Sequence, residues 1–321
     1  MLDMIFFYFQ SFLSGIIEFG IVYYAYKNNL PIPVLIGIGC AYQFGNIIRN
    51  FNIKKLGLMV NILVLISIFF IESLAFKLIT LAFIISWNLQ MTRDVFKSRS
   101  NTTLKRCFRI LGFANIFFIN YKLILFIFVF SIIMLLIKYD EIAIENQINL
   151  KISNSDLIML THQLHYFSYC YIVFVLLLDF NMPKILAILI FVLGWITYTS
   201  TQKILNSNMN INNAIIAHFL LALTLILLGI FHNSSFWASV FWIITGFFGG
   251  TVYILKNYLN VNCYISNSHI NYIEDLGHII GALISLIVYY FTNSLIYPIL
   301  IAAFFAVATS LQLLWRGGKY E

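Results

Sequence analysis

Charge is scarce in this sequence. Only 10% of the 321 residues are Asp, Glu, Lys or Arg, against about 25% in a soluble domain. Phe and Tyr (32 and 19) outnumber all basic and acidic residues together (19 and 12). A water-facing surface cannot be built from that stock, so a soluble protein is excluded. Paired cysteines are also missing. Cys40, Cys107, Cys170 and Cys263 are far apart, with no CxxC and no Cys–His cluster at metal-ligand spacing. There is no GxxxxGK[ST] phosphate loop and no HExxH zinc-protease motif. The six aspartates (Asp3, Asp94, Asp140, Asp156, Asp179 and Asp275) contain no close pair of the kind that holds a magnesium diphosphate. The first apolar run follows only Asp3, with no basic n-region or small-residue cleavage site, and is expected to be a retained span.

What is present is length of apolar chain. Mean hydropathy is +0.92 and 61% of residues are hydrophobic. At about 20 residues per span, twelve spans use roughly 240 residues and leave room only for loops. Apolar runs place spans near 5–26, 32–48, 56–75, 77–94, 107–137, 158–179, 183–203, 212–231, 236–255, 270–291 and 294–315. In lipid each must be a helix, so the expected class is an all-α polytopic membrane protein. The run 107–137 is long for one helix and short for two. Asn120, Tyr121 and Lys122 lie near its middle, where charge is costly, which predicts two short helices meeting at Asn120. That gives twelve spans; one tilted helix, giving eleven, is the alternative.

The distribution of basic residues separates the two. With twelve spans and the N-terminus inside, fifteen Lys and Arg fall on the inner side and only Lys27, Lys77, Lys122 and Lys184 on the outer. With eleven, Arg316 and Lys319 move outside. The net charge of +7 is therefore a topology signal. The inner cluster from Lys97 to Arg109 is expected to meet anionic lipid headgroups, and nucleic-acid binding is not expected. Short outer and longer inner connections divide the chain into an N-terminal half (1–137), a central connector (138–157) and a C-terminal half (158–321), six helices each.

Between the second and third helices the chain reads Gly45-Asn-Ile-Ile-Arg49-Asn-Phe51-Asn-Ile-Lys54-Lys55. This resembles the Gly-x-x-x-Asp-Arg-x-Gly-Arg-Lys/Arg motif of major facilitator transporters, in the same inter-helix position. Gly45, Phe51 and the terminal basic pair match. Arg49 replaces the family's Asp and Asn52 its second Gly, which puts the Asp-dependent latch in doubt. The resemblance covers nearly the whole chain as architecture and about eleven residues as sequence. It implies secondary transport of a small solute; Arg93, His162 and His165 lean toward a polar, anionic one or a metal chelate, and Glu18 leans the other way. Alternating access would come from rocking one half against the other, with protons as coupling ion and no cofactor. A lipid-modifying transferase and a non-transporting receptor or scaffold are the competing readings, and an enzyme is not expected. The Ile/Asn/Lys/Phe-rich usage suggests a bacterial inner membrane.

Ionisable residues inside spans are functional candidates, because each costs about 2.5–3.5 kcal/mol at a span centre. Ser11, Ser14 and Glu18 share one face of the first span, placing Glu18 as a proton carrier or cation partner. Its structural alternative is a carboxyl hydrogen-bonded to a neighbouring helix. Glu274 and His278, one turn apart, form a candidate proton-handling pair; otherwise Glu274 and Asp275 cap a helix N-terminus. Gly277/Gly281 and Gly246/Gly250 are expected packing pairs. His162, His165, Tyr166 and Tyr169 form a stripe, either a lining for a polar substrate or interfacial belt residues. In the facilitator resemblance that helix lines the cavity. Two histidines three residues apart invite a metal, but no carboxylate or third ligand lies at short spacing, so no metal site is expected. Arg93, ending its span, would suit a carboxylate or phosphate, or else anchor the helix at the membrane face. His218 and Lys122 are weaker candidates.

Overall fold

A computed structural model of the protein describes residues 2–48, 54–95, 102–138, 153, 155–205, 210–262 and 267–317. Among them the regular structure is helical. The helices are α1 (Leu2–Lys27), α2 (Ile32–Ile48), α3 (Lys54–Ser67), α4 (Leu74–Val95), α5 (Thr102–Ala114), α6 (Tyr121–Ile137), α7 (Asp156–Asp179), α8 (Lys184–Leu205), α9 (Ile211–Ile230), α10 (Ser235–Gly249), α11 (Val252–Asn262), α12 (Asn267–Thr292) and α13 (Ile296–Gly317). Helices α10 and α11 run on as one apolar span, Ser235–Asn260, so the thirteen helices make twelve segments. The chain is a multi-pass integral membrane protein. Seven described segments are long and apolar enough to cross a bilayer, and α2, α3 and α6 are shorter apolar helices. Large apolar side chains stay exposed around them, including Phe69, Phe70 and Phe291 at 75%, 80% and 78%; in lipid that exposure carries no penalty.

Local chemistry explains the boundaries. Asn29 takes a left-handed φ of 56° after α1, and the Leu30 amide returns to the Ala25 carbonyl (3.1 Å), a C-terminal closure that Asn tolerates. Proline appears where its missing N–H does no harm: Pro31 and Pro183 precede α2 and α8, and their carbonyls accept from Val34 (2.9 Å) and Ala187 (3.1 Å). The long run 107–137 does break. After α5, a short 3-10 turn (Ile116–Phe118) leads to Asn120, whose side chain accepts from the Leu123 amide (2.9 Å) and caps α6. Lys122 therefore lies in the first turn of a helix, exposed, instead of at mid-span.

Two spans differ from their hydropathy runs. The third ends at Ser67, eight residues before the run does. The Phe70 and Ile71 amides close a turn on the Ser67 carbonyl (2.9 and 3.1 Å), and an apolar turn leaves no trace in hydropathy. In the ninth run the helix breaks at Gly250 and Thr251, between α10 and α11; glycine is a poor helix former.

The chain forms two compact units, 1–147 and 148–321. In the first, α1 packs on α5, α4 and α2, and α4 on α2 and α6. In the second, α7 packs on α12, α13 and α8, while α9 meets α13 and α10. Every residue of α7 from His162 to Leu178 is buried, so this helix is the axis of its unit. It is also too polar in its first half to score as a lipid-facing span.

Candidate functional site

In the first unit, the polar stripe of α1 faces inward: Ser11, Ser14 and Glu18 are all buried, Glu18 completely. Glycine sets the geometry. A Cβ on Gly15 would meet the Arg109 carbonyl, and one on Gly112 would meet the Phe12 carbonyl. Two facing glycines thus let α1 and α5 touch backbone to backbone, which lays Arg109 against Glu18 one turn along. Arg109 Nη2 donates to Glu18 Oε2 as a charged pair. Gln43 of α2 reaches Glu18 Oε1 through its Nε2 (3.5 Å), and Asn46 Nδ2 donates to Gln43 Oε1 (2.7 Å). Ser86 of α4 donates in turn to Asn46 Oδ1 (2.6 Å). A polar chain therefore runs from α4 through α2 to an ion pair between α1 and α5 whose carboxylate is buried and whose guanidinium is partly exposed. Arg109 was expected at the lipid headgroups with its basic neighbours; the α1–α5 contact turns it into the unit instead, because Glu18 is there to receive it.

A second buried network binds the helices on the far side of α4. Asn61 and Asn88 exchange side-chain hydrogen bonds (2.8 and 2.7 Å), and Asn88 Nδ2 also reaches Ser131 Oγ of α6 (3.0 Å). Nothing in hydropathy or charge singles these three out, since neutral polar residues are common in spans. Arg93 lies in the last turn of α4, but its side chain falls outside the described residues. So do the side chains of Lys54 and Lys55 and the whole of the 49–53 segment. Gly45 of the same motif is described, and a Cβ there would strike the Phe83 carbonyl of α4; its role here is close packing.

In the second unit, α12 begins at Asn267, two turns before Glu274 and Asp275. The helix-capping alternative for that pair is thereby removed. Gly277 presses against Gln163 of α7 and Gly281 against the Leu164 carbonyl and Phe167. Gln163 then lies between the side chains on either side of Gly277. Its Nε2 donates to Glu274 Oε1 (3.0 Å) and its Oε1 faces His278 Nε2 (3.0 Å). Glu274 and His278 are joined through this glutamine, and Lys256 of α11 forms an ion pair with Glu274. Lys256 and Gln163 were not singled out by sequence.

The α7 stripe faces the interior of its unit, not the membrane interface: His162, His165, Tyr166 and Tyr169 are 2%, 0%, 8% and 1% exposed. His218 of α9 completes it. His162 Nδ1 lies 2.7 Å from His218 Nε2, and His218 Nδ1 lies 2.6 Å from the Ala214 carbonyl. The three imidazoles form a buried cluster in which one ring nitrogen from each lies within 4.8 Å of the other two. Sequence spacing could not reveal it, because the third ring comes from 53 positions beyond His165 on a different helix.

No family model and no curated protein matches the sequence. The fold does match solved structures over almost its whole length. A bacterial homologue of the iron transporter ferroportin, in an outward-facing state, superposes with a TM-score of 0.58 at 11% identity, covering 97% of this chain and 100% of that one. The human organic anion transporter MFSD10 (TETRAN) matches with a TM-score of 0.51 at 12% identity over 97% and 99% of the two chains. A bacterial metal transporter matches with a TM-score of 0.51 at 13% identity over 96% and 98%. The chain has the major facilitator fold.

Proposed function

On that fold, we propose that the protein is a secondary active transporter of a small polar solute, coupled to protons and working by alternating access. The observation that carries this reading is the fully buried Glu18, held by Arg109 and by a polar chain through α2 and α4. A carboxylate placed inside a membrane unit is expensive, and one held by a cation and a polar chain is suited to a coupling role. The second unit repeats the theme with Glu274, Lys256, Gln163 and His278. The fold is shared with proteins described as transporters, which supports transport over lipid transfer or a scaffold role. Arg93 with His162 and His165 favours an anionic or metal-chelating organic solute. The two six-helix halves would be 1–137 and 158–321, joined by 138–157, and the N-terminus would face the cytoplasm of a bacterial inner membrane.

The test is reconstitution into liposomes that enclose a pH-sensitive dye. Carboxylates, amino acids, sugars, nucleosides and metal chelates are added outside, one class at a time. Solute-dependent proton entry that disappears in Glu18→Gln supports the reading. If no class moves protons, coupling is wrong. If uptake proceeds unchanged in Glu18→Gln, coupling does not run through Glu18.

A further inference from the structure

Three buried imidazoles in one cluster need a reason, and their hydrogen bonding does not supply one. His218 is the best satisfied: its Nδ1 faces the Ala214 carbonyl of its own helix (2.6 Å). A carbonyl accepts only, so the proton sits on Nδ1 and Nε2 offers a lone pair to the cluster. His162 Nδ1, 2.7 Å away, is then the donor of that contact. His165 is different. It is fully buried; the Thr161 carbonyl one turn back faces its ring, and neither nitrogen reaches a partner at full hydrogen-bond geometry. An imidazole held by so loose a contact costs more to bury than an apolar side chain would.

The ring arrangement answers a specific question about what fits between them. The centroid separations are 4.7 Å (His162–His165), 5.0 Å (His162–His218) and 5.5 Å (His165–His218), and the rings meet edge-on at 73°, 68° and 81°. Three imidazoles bound to one tetrahedral ion at about 2.0–2.1 Å would place their centroids about 5.2 Å apart. The observed spacing brackets that value. Their nitrogens would stand about 3.4 Å apart, so an entering ion opens the 2.7 Å His162–His218 contact and draws in the donor atoms, which all lie within 4.8 Å of one another. The His162 proton moves from Nδ1 to Nε2, and no net proton is released. The hydrogen bond from His218 Nδ1 to a backbone carbonyl is the kind of outer contact that orients a ligating imidazole and raises its basicity.

We infer that His162, His165 and His218 form a binding site for one divalent transition-metal ion. Three nitrogen donors with no carboxylate among them select zinc, cobalt, nickel, copper or iron over calcium and magnesium, which require oxygen ligands. Three protein ligands leave a fourth position open for water or for an oxygen of a bound solute. The inference stands on the rings themselves and goes beyond the transport reading. A protein that holds the ion without moving it keeps this site, and a transporter of some other solute does too.

The experiment uses the full-length, tag-free protein in detergent, stripped with a chelator and titrated with Co2+. The expected result is saturation at one ion per chain, with the visible absorption of four-coordinate cobalt bleached by Zn2+. His165→Phe removes a ligand, leaves the His162–His218 and His218–Ala214 contacts in place and keeps a ring in the space. It and His218→Leu are each expected to weaken binding by more than about tenfold. His232→Ala, outside the cluster, leaves binding unchanged. Wild-type protein that takes up neither Co2+ nor Zn2+ stoichiometrically overturns the inference without reference to any variant. Undiminished binding in folded His165→Phe and His218→Leu overturns it as well, by placing the ion elsewhere.

Discussion

Arg109 donates to Glu18 across 91 positions of sequence, and the pair joins α1 to α5 within the first unit. Glu18 is completely buried, while the Arg109 side chain is 35% exposed, so the carboxylate depends on the guanidinium more than the reverse. Leaving a buried charge without its partner is destabilising, whereas replacing both groups with apolar ones is often neutral. Arg109→Met is therefore expected to lower thermal stability in detergent more than Glu18→Gln does. The Glu18→Leu/Arg109→Met double variant should recover part of the loss. A double variant whose loss equals the sum of the two single losses would show that the pair is not an interdependent unit.

The facing glycines decide whether that pair forms at all. Gly15→Leu drives a side chain into the Arg109 carbonyl and is expected to lower the unfolding temperature and the yield of folded protein sharply. Gly20→Ala on the same helix meets only the Ile119 side chain at 3.4 Å, ordinary contact, and should be tolerated. Gly37→Ala has nothing within 4 Å and should be neutral or stabilising by about 0.5–1 kcal/mol. A Gly15→Leu protein as stable as Gly20→Ala would disprove the close approach of α1 and α5.

Gln163 links Glu274 to His278, and both ends of the link depend on it. Gln163→Leu is expected to change the pH profile of solute uptake in the same sense as His278→Ala. The double variant should add nothing further. Independent, additive shifts would separate the two residues functionally and take the glutamine out of the path.

The break at Asn120 can be mapped chemically. On a background without native cysteines, single cysteines at Asn29, Asn120 and Asn293 should all be labelled by an impermeant reagent from one side of the membrane. Labelling of Asn29 with protection of Asn120 would contradict the separation of α5 from α6 by an exposed turn.

Much of the helix layout was legible before any fold was known. The second span was placed at 32–48 and α2 is Ile32–Ile48. The split at Asn120 followed from the cost of Lys122 at mid-membrane, and the cap on α6 is where that argument put it. The inward face of Ser11, Ser14 and Glu18 followed from helical periodicity alone. In each case the bilayer supplies the reason: a chain in lipid must close its own backbone hydrogen bonds and hide its charges, so apolar length and charge position determine segments directly.

Partners were another matter. Arg109 sits in a basic stretch, and in sequence it is indistinguishable from the headgroup-facing residues beside it. His218 is one histidine in an apolar helix. Gln163 is a neutral side chain between two histidines that attract attention first. Which of these meets Glu18, His162 or Glu274 depends on helix register and approach distance, set by Gly15 against Gly112 and by Gly277 against α7. A shift of one turn along a helix is about 5.4 Å, enough to break every contact in either network and invisible to composition or hydropathy. The sequence alone determined an all-helical membrane chain with a handful of costly polar residues; only tertiary packing decided which of them share a site.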